Sequence, residues 1–192
     1  MNTKGTCMLT VAAALFAVVL APAAKAAPVS MMDKTFVKKA AQSDIAEIMT
    51  SQLALQRAVD GNVREFAQHM VRDHKMTSMK LKKIAMTNGV MVPMHTDQMH
   101  QMEYMRLSKM TGASFDKTYI QGQVKAHKAA VALFTSEKNR GRNGQLTQFA
   151  ATTLPALKMH RMMSVQTASA VMRANDGRYA HRTNGMKHMG NM

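Results

Sequence analysis

The stretch FAQHMVRDH, Phe66–His74, decides the fold because it places a histidine within an apolar helical stripe. From Val63 to Thr87, apolar or neutral residues recur at intervals of three and four, the spacing of the buried face of a helix. His74 lies in that stripe between Met70 and Leu81. A histidine in a core must be hydrogen-bonded or bound to a metal, because an unpartnered buried polar group is costly.

Working outward from this helix, the same spacing predicts four more helices. The predicted bounds are about Lys34–Val59, Val63–Thr87, Asp97–Met110, Phe115–Lys138 and Gln145–Arg173. The sequence lacks the period-two alternation of strands, and long helices with short connections are typical of bundles. We therefore predict an all-α protein: a ferritin-like antiparallel four-helix bundle over residues 27–174, with a short extra helix between the second and third long helices. The polar tail, residues 175–192, is expected to be disordered.

The first 26 residues have the pattern of an export signal. A short basic start precedes an apolar run over residues 9–22, and the small-x-small sequence AKA follows at residues 24–26. The run is shorter than the roughly 18 apolar residues expected of a membrane-spanning helix. We predict cleavage after Ala26, a periplasmic or secreted location, and no transmembrane span in the mature chain. Cys7, the only cysteine, lies in this signal, so no disulfide supports the mature fold.

The net charge points to anionic partners. The chain has 26 basic and 11 acidic residues, and two of the basic residues leave with the signal, so the mature chain carries about +13. No nucleic-acid-binding motif accompanies this charge, and tryptophan is absent from the sequence. We expect no nucleic-acid partner, and a solvated basic surface that could associate with anionic envelope components.

The midpoints of the four long helices bring polar residues to one level of the predicted bundle. Glu47, His74, His127 and His160 stand there, and the three histidines lie in core stripes. One carboxylate and three neutral imidazoles can bind Zn, Fe, Mn or Cu. The alternative is that each histidine is a hydrogen-bonded core residue without a metal.

Three aspartates could accept N–H groups from these imidazoles. Asp44 and Asp73 neighbour Glu47 and His74 in sequence, and such carboxylates commonly orient metal-binding histidines. Asp116 has almost the same azimuth as His127 but lies about three helical turns away.

Methionine is abundant, with 22 residues in the chain, and several of these lie among histidines. Two clusters are candidates for a soft metal ion: Met94, His95, Met99 and His100, and, in the tail, Met186, His188 and Met189. Thioethers with imidazole select Cu(I), so copper is the favoured metal. The alternatives are that the methionines fill the core or reflect compositional drift.

An enzyme is less expected than a binding protein. No cysteine remains in the mature chain, and the sequence has neither a Gly-x-Ser-x-Gly motif nor a glycine-rich phosphate loop. Asp116 and Tyr119 fit the start and packing of a helix better than an acid–base pair.

Four blocks of sequence resemble the domain-of-unknown-function 4142 family. They read FVKKAAQSDIAEI, VREFAQHMVRDHK, TGASFDKTYIQGQVKAHKAAVALF and LTQFAATTLPALKMH, between about Phe36 and Thr167. The resemblance implies an exported ferritin-like four-helix bundle, often described as an outer-membrane protein, and implies no particular activity. Ferritin-like di-iron sites use Glu-x-x-His, whereas Val71, Val124 and Leu157 precede the three histidines here. A mononuclear site or no metal fits this chain better.

Two main hypotheses follow from the sequence. The leading one is an exported bundle that binds a transition metal, copper above all, in metal tolerance or envelope stress. The alternative is a non-catalytic envelope structural or interaction protein with a basic surface and no metal. An oxidoreductase with a mononuclear His/Glu site is a third and weaker hypothesis.

Overall fold

The computed structural model describes the backbone of residues 28–189 and the side chains of residues 28–174; the predicted signal peptide lies outside the described residues. Within this part of the chain, every regular element is a helix. The helices are α1 (Met31–Arg57), α2 (Gly61–Thr87), α3 (Gln98–Ser108), α4 (Gly112–Arg140) and α5 (Gly144–Met189). The prediction of an all-α fold with one short helix between the second and third long helices is confirmed.

The four long helices run antiparallel to their neighbours. At one end of the bundle, Phe36 near the start of α1 packs edge-on against Phe134 near the end of α4, with ring centroids 5.0 Å apart. At the other end, Asp116 at the start of α4 accepts hydrogen bonds from the backbone N–H groups of Val59 and Asp60, just after α1. Helix α1 packs on α2 and α4, and α5 packs on α4 and α2, which closes the four-helix ring.

Helix α3 lies in the long connection that crosses the bundle from the end of α2 to the start of α4. It packs against α1 and α4, and the Thr96 hydroxyl just before it donates to the carbonyl of Gln42 at 3.0 Å. Asp97 caps its first turn by accepting from the N–H of His100 at 3.0 Å. These contacts hold α3 over the side of the bundle, next to the middle of α1.

The core consists of two apolar clusters separated by a polar layer. One cluster contains Phe36, Val37, Leu81, Phe134, Leu146, Phe149 and Leu157. The other contains Leu53, Val63, Phe66, Met70, Phe115, Tyr119 and Ile120. Each fully buried large apolar side chain stabilises the fold by about 1.5–3 kcal/mol. The three core histidines lie between the clusters along α2, α4 and α5.

Several helix ends differ from those predicted. Helix α1 starts at Met31, three residues early, because Ser30 and Asp33 form a reciprocal capping box. Helix α5 continues to Met189, well beyond the predicted end at Arg173. The side chains of the predicted tail, residues 175–192, lie outside the described residues, and the proposed division into signal, bundle and tail stays a prediction.

None of the helices in the described residues has a long enough apolar stretch to cross a membrane.

A buried pair of carboxyl groups ties α1 to the connection between α4 and α5. Asp33 accepts from the N–H groups of Ser30 at 2.7 Å and Arg142 at 2.9 Å. Burial raises the pKa of Asp33, but these hydrogen bonds outweigh it and lower the pKa to about 2. Glu137 is only 1% exposed, and burial together with the neighbouring Asp33 raises its pKa to about 8. At neutral pH, Glu137 is therefore protonated and donates to Asp33.

This pair predicts that the stability of the fold decreases as the pH rises from about 4.5 to about 8. The pKa of Glu137 rises on folding from 4.5 to about 8, so between these values the folded chain holds a proton that the unfolded chain does not. The free energy of unfolding then falls as the pH rises, by on the order of 1.4 kcal/mol per pH unit. Glu137→Gln, which cannot ionise but can still donate to Asp33, should remove this loss.

Urea denaturation between pH 5 and pH 9 measures the effect. The exposed Glu65 on α2 provides the matched control, Glu65→Gln, which should keep the wild-type pH dependence. Equal pH slopes for wild type and Glu137→Gln would show that Glu137 is not protonated in the folded protein.

Candidate metal centre

Three buried imidazoles meet in the polar layer at the middle of the bundle. His74 comes from α2, His127 from α4 and His160 from α5, and each residue is at most 3% exposed. Their ring centroids are 5.7 Å apart for His74–His127, 5.6 Å for His74–His160 and 5.4 Å for His127–His160. The helices place these residues in their core-facing stripes, so three different segments bring the rings together.

One nitrogen of each ring is bonded to an acceptor at the edge of the layer. His74 Nδ1 lies 2.8 Å from Asp44 Oδ1, His127 Nδ1 lies 3.0 Å from the Gln123 carbonyl oxygen, and His160 Nε2 lies 3.1 Å from Asp73 Oδ2. A carbonyl can only accept a hydrogen bond, so His127 carries its proton on Nδ1. Burial acts to raise the pKa of Asp73, but the hydrogen bond with His160 outweighs it and lowers the pKa, so the ionised carboxylate imposes the same role on His160 Nε2. Burial raises the pKa of Asp44, which faces His74 Nδ1.

The second nitrogen of each ring is free to bind an ion. His74 Nε2, His127 Nε2 and His160 Nδ1 are buried, and none has a hydrogen-bond partner in the described part of the chain. One nitrogen from each of the three rings lies within 4.8 Å of the others. In a three-histidine metal site, one nitrogen of each ring binds the ion and the opposite N–H group donates to an acceptor. The three rings here have this arrangement.

The electrostatic surroundings keep two of these rings neutral at neutral pH. Burial lowers the pKa of His127, and it lowers the pKa of His160 to about 4 despite the hydrogen bond to Asp73. Burial also acts to lower the pKa of His74, but the hydrogen bond to Asp44 and the negative charge of Glu47 outweigh it and raise the pKa. A cation at the centre would replace the proton that these carboxylates favour on His74.

Glu47 lies beside the imidazoles but does not belong to their set. It is 5% exposed, and its Oε2 has no hydrogen-bond partner among the described residues. Its carboxylate oxygens are not among the ligand atoms that lie within 4.8 Å of one another. Glu47 instead lines a cavity of about 380 Å³ between α1, α3 and α4, together with Tyr119 and Gln123. The place of Glu47 in one layer with the histidines stays a prediction, and its negative charge acts to raise the pKa of His74.

The three predicted aspartates have different roles. The structure places Asp44 against His74, its neighbour across the α1–α2 contact. Asp73 bonds His160 on α5 rather than a ring of its own helix. The expectation that Asp116 supports the imidazoles is wrong, because its carboxylate accepts from the backbone N–H groups of Val59 and Asp60. Asp116 fixes the connection between α1 and α2 at the end of the bundle.

The predicted soft-metal cluster around α3 is exposed to solvent. Met94 and Met99 are 74% and 79% exposed, and His95 is exposed as well. His100 Nδ1 lies 2.9 Å from Asp97 Oδ2. Met99 and His100 also line the cavity that Glu47 lines. The side chains of Met186, His188 and Met189 lie outside the described residues.

Sequence reasoning missed two residues of this region. Gln123 contributes its backbone carbonyl, which no side-chain pattern reveals. His69 lies one turn before Asp73, and its ring centroid is 5.5 Å from that of His160. The His-x-x-x-Asp spacing of residues 69–73, which puts both side chains on one face of a helix, was the signal available.

The hydrogen bonds predict the tautomers of the metal-free protein. Long-range ¹H–¹⁵N spectra of the imidazole rings at pH 7 should show the proton on Nδ1 in His127 and on Nε2 in His160. The exposed His95 should instead show averaged signals of both tautomers. A proton on Nε2 of His127 would contradict the described geometry, because an unprotonated Nδ1 would then face the Gln123 carbonyl oxygen, which cannot donate a hydrogen bond.

Solved structures of other proteins share this fold. The crystal structure of a DUF305 fragment from Deinococcus radiodurans matches with a TM-score of 0.65 and 13% identity, over 76% of this chain and 99% of that one. CopM in its Cu(II)-bound form matches with a TM-score of 0.61 and 18% identity, over 72% of this chain and 96% of that one. Similarity at these identities shows a common fold alone.

A third match supports the ferritin-like architecture. It is the dodecameric thioferritin, a bacterioferritin-related protein from Bacteroides fragilis, with a TM-score of 0.57 and 9% identity, over 76% of this chain and 88% of that one. The predicted ferritin-like bundle is thereby confirmed.

Sequence comparison identifies the family. A search of curated proteins gives no match. The sequence model of the family described as "Domain of unknown function (DUF4142)" matches residues 19–167, which is most of the chain and includes all three core histidines. This protein therefore belongs to the DUF4142 family.

Proposed function

We propose that the protein binds one transition-metal ion, copper above all, at His74, His127 and His160, and serves in metal tolerance rather than as an enzyme. The observation that carries the proposal is the convergence of three buried imidazole nitrogens that lack hydrogen-bond partners in the described residues. In this role, copper is the ion that the protein binds and carries, and it is not a resident cofactor.

The geometry favours a metal centre over a purely structural role for the histidines. A structural core histidine is expected to have partners for both ring nitrogens, because each unsatisfied buried polar atom costs about 1–3 kcal/mol. Here each of the three rings has one such atom, and one nitrogen of each ring lies within 4.8 Å of one nitrogen of each other ring. One cation would satisfy all three lone pairs at once.

Several observations favour copper among the metals that imidazole binds. Five methionines of the loop and α3, each between 51% and 93% exposed, cannot be explained as core residues: Met91, Met94, Met99, Met102 and Met105. Soft thioethers next to imidazole suit Cu(I). Met99 and His100 line the same cavity as Glu47, so an ion captured at α3 would lie close to that carboxylate. The similar fold of Cu(II)-bound CopM adds support for this metal.

The proposed role in metal tolerance depends on export. The signal predicted over residues 1–26 would bring the mature chain to the periplasm or outside the cell, where copper is not controlled by cytosolic thiols. Neither thioether nor imidazole oxidises as readily as a thiolate, which suits a cysteine-free mature chain for this compartment.

The test is metal content after anaerobic Cu(I) loading, followed by dialysis and mass spectrometry. Wild type should retain about one tightly bound ion, and His127→Leu should weaken this binding by more than the 10–100-fold that loss of a supporting residue costs. His127→Leu is a clean variant because the Gln123 carbonyl, which is inside α4, keeps its backbone hydrogen bond.

Two matched variants separate the alternatives. His95→Gln removes an exposed histidine and should leave the tight ion in place. A combined Met186→Ser, His188→Gln and Met189→Ser variant removes the tail cluster. If this variant loses most of the bound copper, the tail binds the metal and the bundle core does not. No retained copper in wild type would contradict the proposal and favour the non-metal envelope protein.

A further inference from the structure

We propose that His69, Asp73 and His160 form a second, half-exposed site for a divalent transition metal, which shares His160 with the buried centre. Each of the three residues offers one atom that lies within 4.8 Å of the atoms offered by the other two. Two imidazoles and one carboxylate form a donor set that suits Zn(II), Cu(II) and Fe(II).

Asp73 lies at the centre of this second set. Its Oδ2 is 3.1 Å from Nε2 of His69, one turn earlier on α2, and also 3.1 Å from Nε2 of His160 on α5. The His69 and His160 rings stand almost perpendicular, at 89°. The donors therefore come from two helices whose positions are fixed by the bundle.

The second site is open to solvent, unlike the first. The side chains of His69 and Asp73 are 27% and 20% exposed, whereas the side chain of His160 is 3% exposed. His69 Nε2 is nevertheless buried, and its hydrogen-bonding capacity is unused among the described residues despite its short distance to Asp73. An ion can reach the site from solvent through the partly exposed side chains of His69 and Asp73.

Arg72 opposes an ion at this site. Its guanidinium donates to Nδ1 of His69, which keeps the His69 proton on Nε2, and it also contacts Asp73 Oδ1 at 3.2 Å. An ion can bind Nε2 only after Arg72 releases Nδ1 so that the proton can occupy it. Because the Arg72 side chain is 59% exposed, it can turn to solvent. Arg72 thus competes with the metal by charge and by hydrogen bonding.

His160 links the two sites through its two ring nitrogens. Nδ1 lacks a partner and is available to the buried centre, whereas Nε2 is bonded to Asp73. When both ions are bound, the Nε2 proton leaves to solvent, the freed Asp73 Oδ2 binds the outer ion, and His160 becomes an imidazolate bridge. This bridged state rests on the proposed core centre; the outer site itself does not.

Titration of the full-length protein with Cu(II), followed by equilibrium dialysis and spin counting by electron paramagnetic resonance, tests the proposal. An imidazolate bridge couples two Cu(II) ions antiferromagnetically, so the second equivalent should reduce the detectable spin per copper in wild type. Copper bound adventitiously at the surface would keep its full spin.

Three variants are expected to change the binding of the second copper equivalent in different ways. His69→Leu should weaken the second equivalent by more than the 10–100-fold that loss of a supporting residue costs and restore full spin, while the first equivalent stays bound. Arg72→Met should tighten the second equivalent. Lys75→Met, which removes an equal charge from an exposed position of α2, should have no effect. Because Arg72 is exposed and acts in the opposite direction, its variant tests the site even if His69→Leu folds poorly.

The outcomes separate this inference from the proposed function. Full spin at two equivalents, unchanged by both His69→Leu and Arg72→Met, would overturn the second site. If His127→Leu still removed the first equivalent, the core centre would stand alone. A single equivalent that depends on His69 and not on His127 would support the outer site and refute the core centre.

Discussion

The hydrogen bonds that hold three imidazoles across the middle of the bundle are the constraint on which the rest of the structure depends. Apolar clusters on both sides stabilise the helices by burial. The layer between them contains His74, His127 and His160, whose polarity is tolerated only because Asp44, Asp73 and the Gln123 carbonyl accept their N–H groups. The Asp44–His74 bond joins α1 to α2, and the Asp73–His160 bond joins α2 to α5, so the layer also fixes how these helices align along their axes.

The same hydrogen bonds leave the centre of the layer with a definite chemical character. Each acceptor takes one ring nitrogen at the edge and leaves the other nitrogen as a lone-pair donor inside. Since burial lowers the pKa of His127 and His160, two of the rings stay neutral at neutral pH. A core with three convergent, desolvated and mostly neutral donors is organised in advance for a cation, and the nearby Glu47 carboxylate provides negative charge. The stability of the fold and the proposed metal chemistry thus depend on the same contacts.

Much of this organisation could be predicted from the sequence. Periodicity predicts the bundle, because apolar stripes on long helices leave few alternative architectures. The common height of His74 and His127 follows from the midpoints of α2 and α4, which vary little when the helix ends are misplaced. The midpoint argument does not hold for His160, because α5 continues to Met189. The position of Glu47 could not be predicted, since a residue at the edge of its stripe can point into the layer or beside it. Asp116 lies far along α4 from His127, and distance along a helix axis outweighs shared azimuth.

The remaining differences come from contacts between helices. Asp73 pairs with His160 because α2 and α5 are neighbours in the ring, a fact that the order of helices along the chain does not reveal. His69 becomes relevant through the same contact, as it faces Asp73 and His160 together. Sequence patterns on single helices identify candidate residues. The hydrogen-bond partners of these residues depend on which helices are neighbours in the bundle.

Anomalous diffraction at the copper edge, from crystals of the copper-loaded protein, tests the central claim most directly. We expect a copper peak inside the bundle, bound by His74 Nε2, His127 Nε2 and His160 Nδ1 at about 2.0 Å, the distance typical of imidazole–metal bonds. Copper peaks confined to the exposed methionines, with ordered imidazoles and no density between them, would contradict it.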